Sequence, residues 1–174
     1  MDELIYATLK LKRTLNRHGV GFIVAGSLAD YLLGLDFVRP NDIDVLVSRT
    51  DAEKIIKVAR EESSLRIVSP MEYREGDNIR GLYGRILVDT INVDILADVK
   101  LRYRGKWLHL TYENLMPCTI EVMLADEIPV RVPCPEIQAA ADEALGREER
   151  ARVLKKLAAR HTCGKELHQC LITR

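Results

Sequence analysis

The 174-residue sequence has no surplus of charge: 26 Lys and Arg balance 26 Asp and Glu. That balance argues against a protein held to nucleic acid by general attraction, which needs an excess of Lys and Arg. A local basic patch stays compatible with it. The sequence also lacks a long apolar run. Stretches such as Gly21 to Ala25 and Val45 to Val47 fall far short of the roughly 20 residues that span a bilayer. The opening MDELIYATLKLKRTLNRHG is amphipathic and charged throughout. It has none of the basic start, apolar middle and small-residue cleavage site of a signal peptide. A cytoplasmic protein without membrane contact is therefore expected. Glutamine is scarce, at positions 138 and 169 only, while Glu, Lys and Arg are plentiful, a composition that leans toward a thermophilic source. Four cysteines fit free thiols better than a disulfide framework in that compartment. A Walker-type Gly-Lys-Ser loop and a serine-hydrolase elbow are both missing, which removes those two chemistries.

What is present is enough for a core: 47% of residues are hydrophobic and 30% charged, the balance of a soluble globular domain. The length favours one domain over 1–174, with a core over about 1–133 and a helical part over about 134–174. Leu4, Ile5, Leu9, Leu11 and Leu15 recur at helical spacing, so 2–18 reads as an amphipathic helix stopped by Gly19. Val20 to Ala25 reads as a buried strand, 27–34 as a short helix and Asp36 to Asn41 as a loop. Asp42 to Ser48 reads as a second strand, followed by a helix over 51–62 capped by Thr50 or Asp51. Strands are expected at Leu65 to Val68, Ile79 to Val88 and Ile91 to Val99, with a polar loop over Glu72 to Asn78. Leu101 to Leu110 reads as one exposed strand. Ile120 to Leu124 and Ile128 to Val132 flank Ala125-Asp126-Glu127 as a hairpin. Helices follow over about 135–145 and 147–160, parted by Gly146.

Three features carry chemistry. Gly26-Ser27 stands between an apolar strand and a helix, where a glycine lets backbone approach a ligand and free helix N–H groups attract phosphate. The alternative is that Ser27 only caps its helix. Asp42-Ile43-Asp44 opens the next strand. Alternation places both carboxylates on one face, about 7 Å apart at the rise of a strand, where they can converge on a hard cation such as Mg²⁺. The alternative is a pair of solvated turn residues. Asp94 lies in the apolar strand INVDILADV, costly to bury unless paired or metal-bound; the alternative is the exposed face of an edge strand. Asp98 shares its face by parity and is a spare candidate.

The stretch AGSLADYLLGLDFVRPNDIDVLVS, with Asp94 downstream, resembles the signature of the DNA polymerase β-like nucleotidyltransferase superfamily. It looks most like the lincosamide-type antibiotic nucleotidyltransferases and the minimal relatives of abortive-infection type. The resemblance implies an α/β (α+β) nucleotidyltransferase fold, a mixed twisted sheet flanked by helices with a helical C-terminal segment. It implies that Gly26 and Ser27 hold a triphosphate and that Asp42 and Asp44 bind two Mg²⁺ ions, or Mn²⁺ in their place. Asp94 would bind the catalytic metal and help deprotonate the acceptor hydroxyl. The implied reaction moves NMP from an NTP such as ATP to a hydroxyl of a small molecule, a tRNA or a protein, releasing pyrophosphate. The implied alternative is a catalytically silent nucleotide-binding regulator or toxin–antitoxin component.

Arg39, just before the carboxylates, suits phosphate oxygens or is a solvated loop residue. Lys100, Arg102, Arg104 and Lys106 would share one face of a strand, either an RNA-binding surface or an exposed edge guarded by charge. Arg147, Arg150, Arg152, Lys155, Lys156 and Arg160 read as a solvated helix face from which one residue could reach a phosphate. His161, Cys163, His168 and Cys170 do not match common zinc spacings, and Cys118 and Cys134 read as buried thiols.

Overall fold

The computed structural model describes residues 1–125 and 128–159, and the backbone of 171–173. His161, Cys163, His168 and Cys170, whose spacing does not match zinc sites, lie outside the described residues with Arg160 and the turn residues Asp126 and Glu127. Helix α1 (Asp2–Arg17) leads to β1 (Ile23–Ala25), α2 (Gly26–Leu32), β2 (Ile43–Leu46) and α3 (Arg49–Glu61). Next come β3 (Leu65–Glu75), β4 (Ile79–Val88), β5 (Ile91–Tyr103) and β6 (Lys106–Leu110). A short α4 (Tyr112–Leu115) and a 3₁₀ turn precede β7 (Thr119–Leu124) and β8 (Ile128–Pro133). Helices α5 (Pro135–Ala144) and α6 (Glu148–Ala158) follow, then β9 (Leu171–Thr173).

Among the described residues the strands form one mixed sheet in the order β3-β4-β5-β2-β1-β8-β7, with β6 beside the far half of β5 and β9 beside β6. The β2–β5 and β1–β8 pairs are parallel and the other pairs antiparallel. One face packs on α1 and α3 through Leu11, Leu15, Ile55, Val45, Val93 and Ile95. The other packs on α5 through Ile23, Leu46, Val99, Leu101 and Ile137. Leu154 of α6 packs on Leu35, Val38 and Ala139 in a smaller cluster. No helix among the described residues is long and apolar enough to cross a membrane. Cys118 and Cys134 are buried and neither is in a disulfide, as expected.

Several boundaries move for identifiable reasons. Helix α3 starts earlier than expected because Ser48 is its cap: the Ser48 hydroxyl accepts from the Asp51 N–H at 3.0 Å. The polar segment 72–75 is strand, not loop. It lies on the outer, exposed part of edge strand β3, where backbone pairing with β4 requires no apolar face, and Pro70 sits at a register shift, where a missing donor is tolerated. Leu101 to Leu110 is not one strand. Arg104 (φ 49°) and Gly105 (φ 77°) make the two-residue turn of a β5–β6 hairpin, since positive φ at both positions matches the twist of the strands. That hairpin dissolves the expected basic face. Lys100 and Arg102 share a face with Trp107 of β6, Lys106 falls opposite Tyr103 on the other face, and Arg104 in the turn pairs with Glu143 at 3.0 Å. The last described residues form strand β9, where helix had been expected.

Candidate active site

The site is built on the sheet face that α5 covers. Ile43, Val45 and Val47 are buried on the opposite face, so alternation turns Asp44 toward α5. Strand β5 lies parallel to β2 with Asp94 directly beside Asp44. It is an interior strand, with β4 on its other side, so Asp94 is not the solvated residue of an edge. On the far side of β2, Ala25 of β1 stands opposite Asp44 and Gly26 follows it. Asp42 lies one residue before β2 and acts on Asp44 through its charge.

Gly26 has φ +60°, and a methyl group added to it would overlap the Asp44 carboxylate. Only glycine lets the chain turn there with its backbone against that side chain. Helix α2 begins at Gly26 with Ala25 as its cap residue and no side-chain capping bond. Ser27 is therefore not spent as a helix cap. Burial pushes the Asp44 carboxyl up to about 7, and the charges of Asp42 and Asp94 push in the same direction, against Arg147 and Arg85. The face thus carries more negative charge than its own cations neutralise.

Three further residues complete the cleft. Arg85 of β4 stands opposite Asp94 and grips both its oxygens, from Nε to Oδ1 and from Nη2 to Oδ2 at 2.8 Å. Tyr83 lies beside it; burial and the Asp44 charge push its hydroxyl up to about 12, and that oxygen is buried without a hydrogen-bond partner. Gln138 of α5 donates to the Gly26 carbonyl at 3.2 Å and to Asp30 at 2.8 Å. Asp44, Asp94 and Gly26 open into a cavity of about 210 Å³ whose remaining wall is mostly apolar, from Leu96, Leu101 and Leu110 of the sheet and Ile137 and Ala141 of α5. Among the described residues, no three His, Cys, Asp or Glu side chains are gathered closely enough to hold an ion as they stand.

No protein-family model and no curated protein matches the chain. Solved structures do. TM1012 from Thermotoga maritima, a candidate nucleotidyltransferase, superposes with a TM-score of 0.70 at 24% identity, over 92% of this chain and 96% of that one. The antibiotic-resistance factor ANT(2'')-Ia superposes at 0.52 and 14% identity, over 91% and 92%. The same factor in complex with adenylyl-2''-tobramycin gives 0.50 and 14%, over 90% and 97%. The chain has the nucleotidyltransferase fold.

Within that fold the structure gathers Gly26, Asp44 and Asp94 around one cleft, places Ser27 next to Gly26 in α2 and Asp42 just before β2, and leaves two candidates elsewhere. The Arg39 guanidinium turns back on its own loop, donating to the Asp36 carbonyl and to the Val38 carbonyl at 3.2 Å. Asp98 is not on the Asp94 face. It sits at a bulge with φ 52°, which reverses the alternation, and it pairs with Arg49 at 2.7 Å. Of the cations expected on the late helix, Arg147 lines the cleft and Arg150 pairs with buried Asp30 at 3.1 Å. Arg152 and Lys155 pair with Glu149 and Glu143 at the surface. Arg85, Tyr83, Gln138 and Asp142 were not anticipated. Arg85 alone left a sequence signal, as a cation within a strand that pairs with an acidic one.

Proposed function

We propose that the chain is a metal-dependent nucleotidyltransferase, moving NMP from an NTP to an acceptor hydroxyl and releasing pyrophosphate. The observation that carries this reading is the direct pairing of Asp44 with Asp94 on one sheet face, with Gly26 pressed onto Asp44. An all-oxygen donor set with unneutralised negative charge fits Mg²⁺, or Mn²⁺, better than any softer ion. Asp42, Asp44 and Asp94 would hold the ions. When bound, such ions neutralise charge on the phosphates and stabilise attacking and leaving oxygens. The chain's own contributions are separable from that. Gly26 keeps the β1–α2 turn free of side chain so that phosphates can approach, and Ser27 offers a hydroxyl at the same place. The Asp94 carboxylate would take the incoming hydroxyl's proton. The apolar wall shelters the reacting centre from water.

The fold neighbours support this at the level of architecture. That ANT(2'')-Ia is found with an adenylyl-tobramycin makes a small hydroxylated acceptor a natural first class to test. The measurement is Mg²⁺-dependent pyrophosphate release from NTPs with a broad acceptor panel, beside calorimetric binding of Mg–NTP. Asp42→Asn and Asp44→Asn are expected to abolish both. Wild-type protein that neither binds Mg–NTP nor releases pyrophosphate would sink the proposal. A second reading, a silent nucleotide-binding regulator, gains from one observation: Arg85 already occupies both oxygens of Asp94. Tight Mg–NTP binding with no turnover and a stable protein partner on pull-down would favour it.

A further inference from the structure

The site is the centre of a longer row. Register places Ser69 opposite Arg85, Arg85 opposite Asp94, Asp94 beside Asp44, and Asp44 opposite Ala25. Paired residues share a face, so the row crosses five strands, roughly 19 Å at ~4.8 Å per strand. Gly26 stands at its β1 end. At its β3 end a second cavity of about 260 Å³ opens, lined by Ser69, Arg74, Tyr83, Arg85 and Asp94 among others. The charged groups in this lining are two guanidiniums and one carboxylate, and Arg85 already neutralises that carboxylate. Arg74 forms no ion pair among the described residues; its guanidinium carbon sits 5.9 Å from the Tyr83 ring centre. The unpartnered Tyr83 hydroxyl belongs to a side chain shared by both cavities. Buried hydroxyls nearly always have a partner.

We propose that this second cavity receives the acceptor, and that the acceptor is a small molecule bearing a phosphate or carboxylate close to its reacting hydroxyl. The proposal rests on the nucleotidyltransferase reading for its chemistry. In-line displacement sets the nucleophile and the leaving pyrophosphate on opposite sides of the α-phosphorus. The row has that order: phosphate-approach turn at one end, carboxylates in the middle, guanidiniums at the other. With the triphosphate at the β1 end, the hydroxyl arrives from the β3–β4 end. Its oxygen bonds to the α-phosphorus while the bond to the bridging oxygen breaks. Pyrophosphate leaves with that electron pair, and the hydroxyl proton passes to Asp94. Arg74 and Arg85 hold the acceptor's anionic group by charge-assisted hydrogen bonds, with the Ser69 and Tyr83 hydroxyls as further donors. A polycationic acceptor would be repelled from the same lining.

The test follows the arginine side-chain N–H signals of the full chain by NMR, saturated with Mg²⁺ and a non-hydrolysable ATP analogue. Glycerol 3-phosphate, inorganic phosphate and glycerol are the probes. The two anions are expected to shift the Arg74 and Arg85 signals saturably, and glycerol to leave them unmoved. Losing one charge-assisted bond weakens binding about tenfold, so Arg74→Gln should raise the Kd of both anions by about that factor. It should leave binding of the ATP analogue unchanged. Equal affinity in Arg74→Gln, shifts confined to arginines other than Arg74 and Arg85, or no shift at all would each overturn the proposal. If the analogue itself does not bind, the nucleotidyltransferase reading fails. The same titration on the unsaturated chain then still decides whether the cavity takes anions.

Discussion

Gly26 and Asp44 face each other so closely that position 26 has no room for a side chain. An L side chain at position 26 meets a left-handed backbone costing about 1–2 kcal/mol and then overlaps the Asp44 carboxylate. Gly26→Ala is therefore expected to lower unfolding free energy by at least that amount in a denaturant titration, and to weaken Mg–NTP binding as the carboxylate is displaced. An unchanged midpoint would show that the turn relaxes freely. Asp44→Asn should do the opposite to stability. It removes a charge disfavoured by burial and by Asp42 and Asp94, so the variant without ligand should melt higher than wild type, by on the order of 1 kcal/mol or more, while losing Mg–NTP binding. Gain of stability with loss of binding marks a group kept for its ligand; loss of both would make Asp44 structural. The closeness of these residues was only half legible. The order Gly-Ser, then Asp-x-Asp, is in the sequence, but contact between Gly26 and Asp44 depends on the antiparallel β1–β2 register.

Helix α5 does the equivalent work at the scale of elements. It carries Gln138 onto Gly26 and places Asp142 beside Asp30 of α2, both aspartates fully buried, with Arg147 just before α6 and Arg150 within it closing the network at 3.4 Å and 3.1 Å. Burial pushes the Asp142 carboxyl up to about 7, reinforced by the neighbouring Asp30. The unfolded chain titrates in the ordinary carboxylate range. Between that range and about pH 7 the folded state holds a proton that the unfolded state has lost. Stability from this group is thus full at low pH and falls as pH rises through that window. Asp142→Asn stays neutral throughout, and its melting temperature should decline less steeply than wild type's between about pH 4 and 7. Asp44 slopes the same way in both proteins, so the difference isolates Asp142; identical slopes would remove it from the network. Such couplings escape a sequence reading because α2, α5 and α6 meet only through tertiary packing. Strand content was legible where a face is buried, as in β2 and β5. It was not legible at the Asp98 bulge, where one extra residue reverses the alternation, nor at Arg104-Gly105, which lacks the usual Asn-Gly or Asp-Gly signal of a two-residue turn.

For the molecule as a whole, the row from Ser69 to Gly26 makes ligand binding a property of the sheet. Its five strands are the first five of the chain, spread between Ile23 and Tyr103 and reordered in the sheet, so a ligand spanning the row ties together segments that are apart in sequence. Anything that binds the folded state and not the unfolded chain stabilises it by mass action, about 2.7 kcal/mol at a hundredfold excess over Kd. For a chain of this size each kcal/mol moves the melting temperature by roughly 2–4 °C. Mg²⁺ with NTP at that excess is therefore expected to raise the wild-type melting temperature by about 5–11 °C, and Mg²⁺ alone by less, since the phosphates supply the remaining ligands. The Asp42→Asn, Asp44→Asn double variant should show neither shift, because it lacks two of the three carboxylates on that face. Arg74→Gln should keep the full Mg–NTP shift, since Arg74 lies at the opposite end of the row from Gly26. Scanning calorimetry on the three proteins separates the cases. A wild-type shift that survives in the double variant would mean that nucleotide binds away from Asp42 and Asp44. A shift lost in Arg74→Gln would mean that the two ends of the row form one phosphate site and not two.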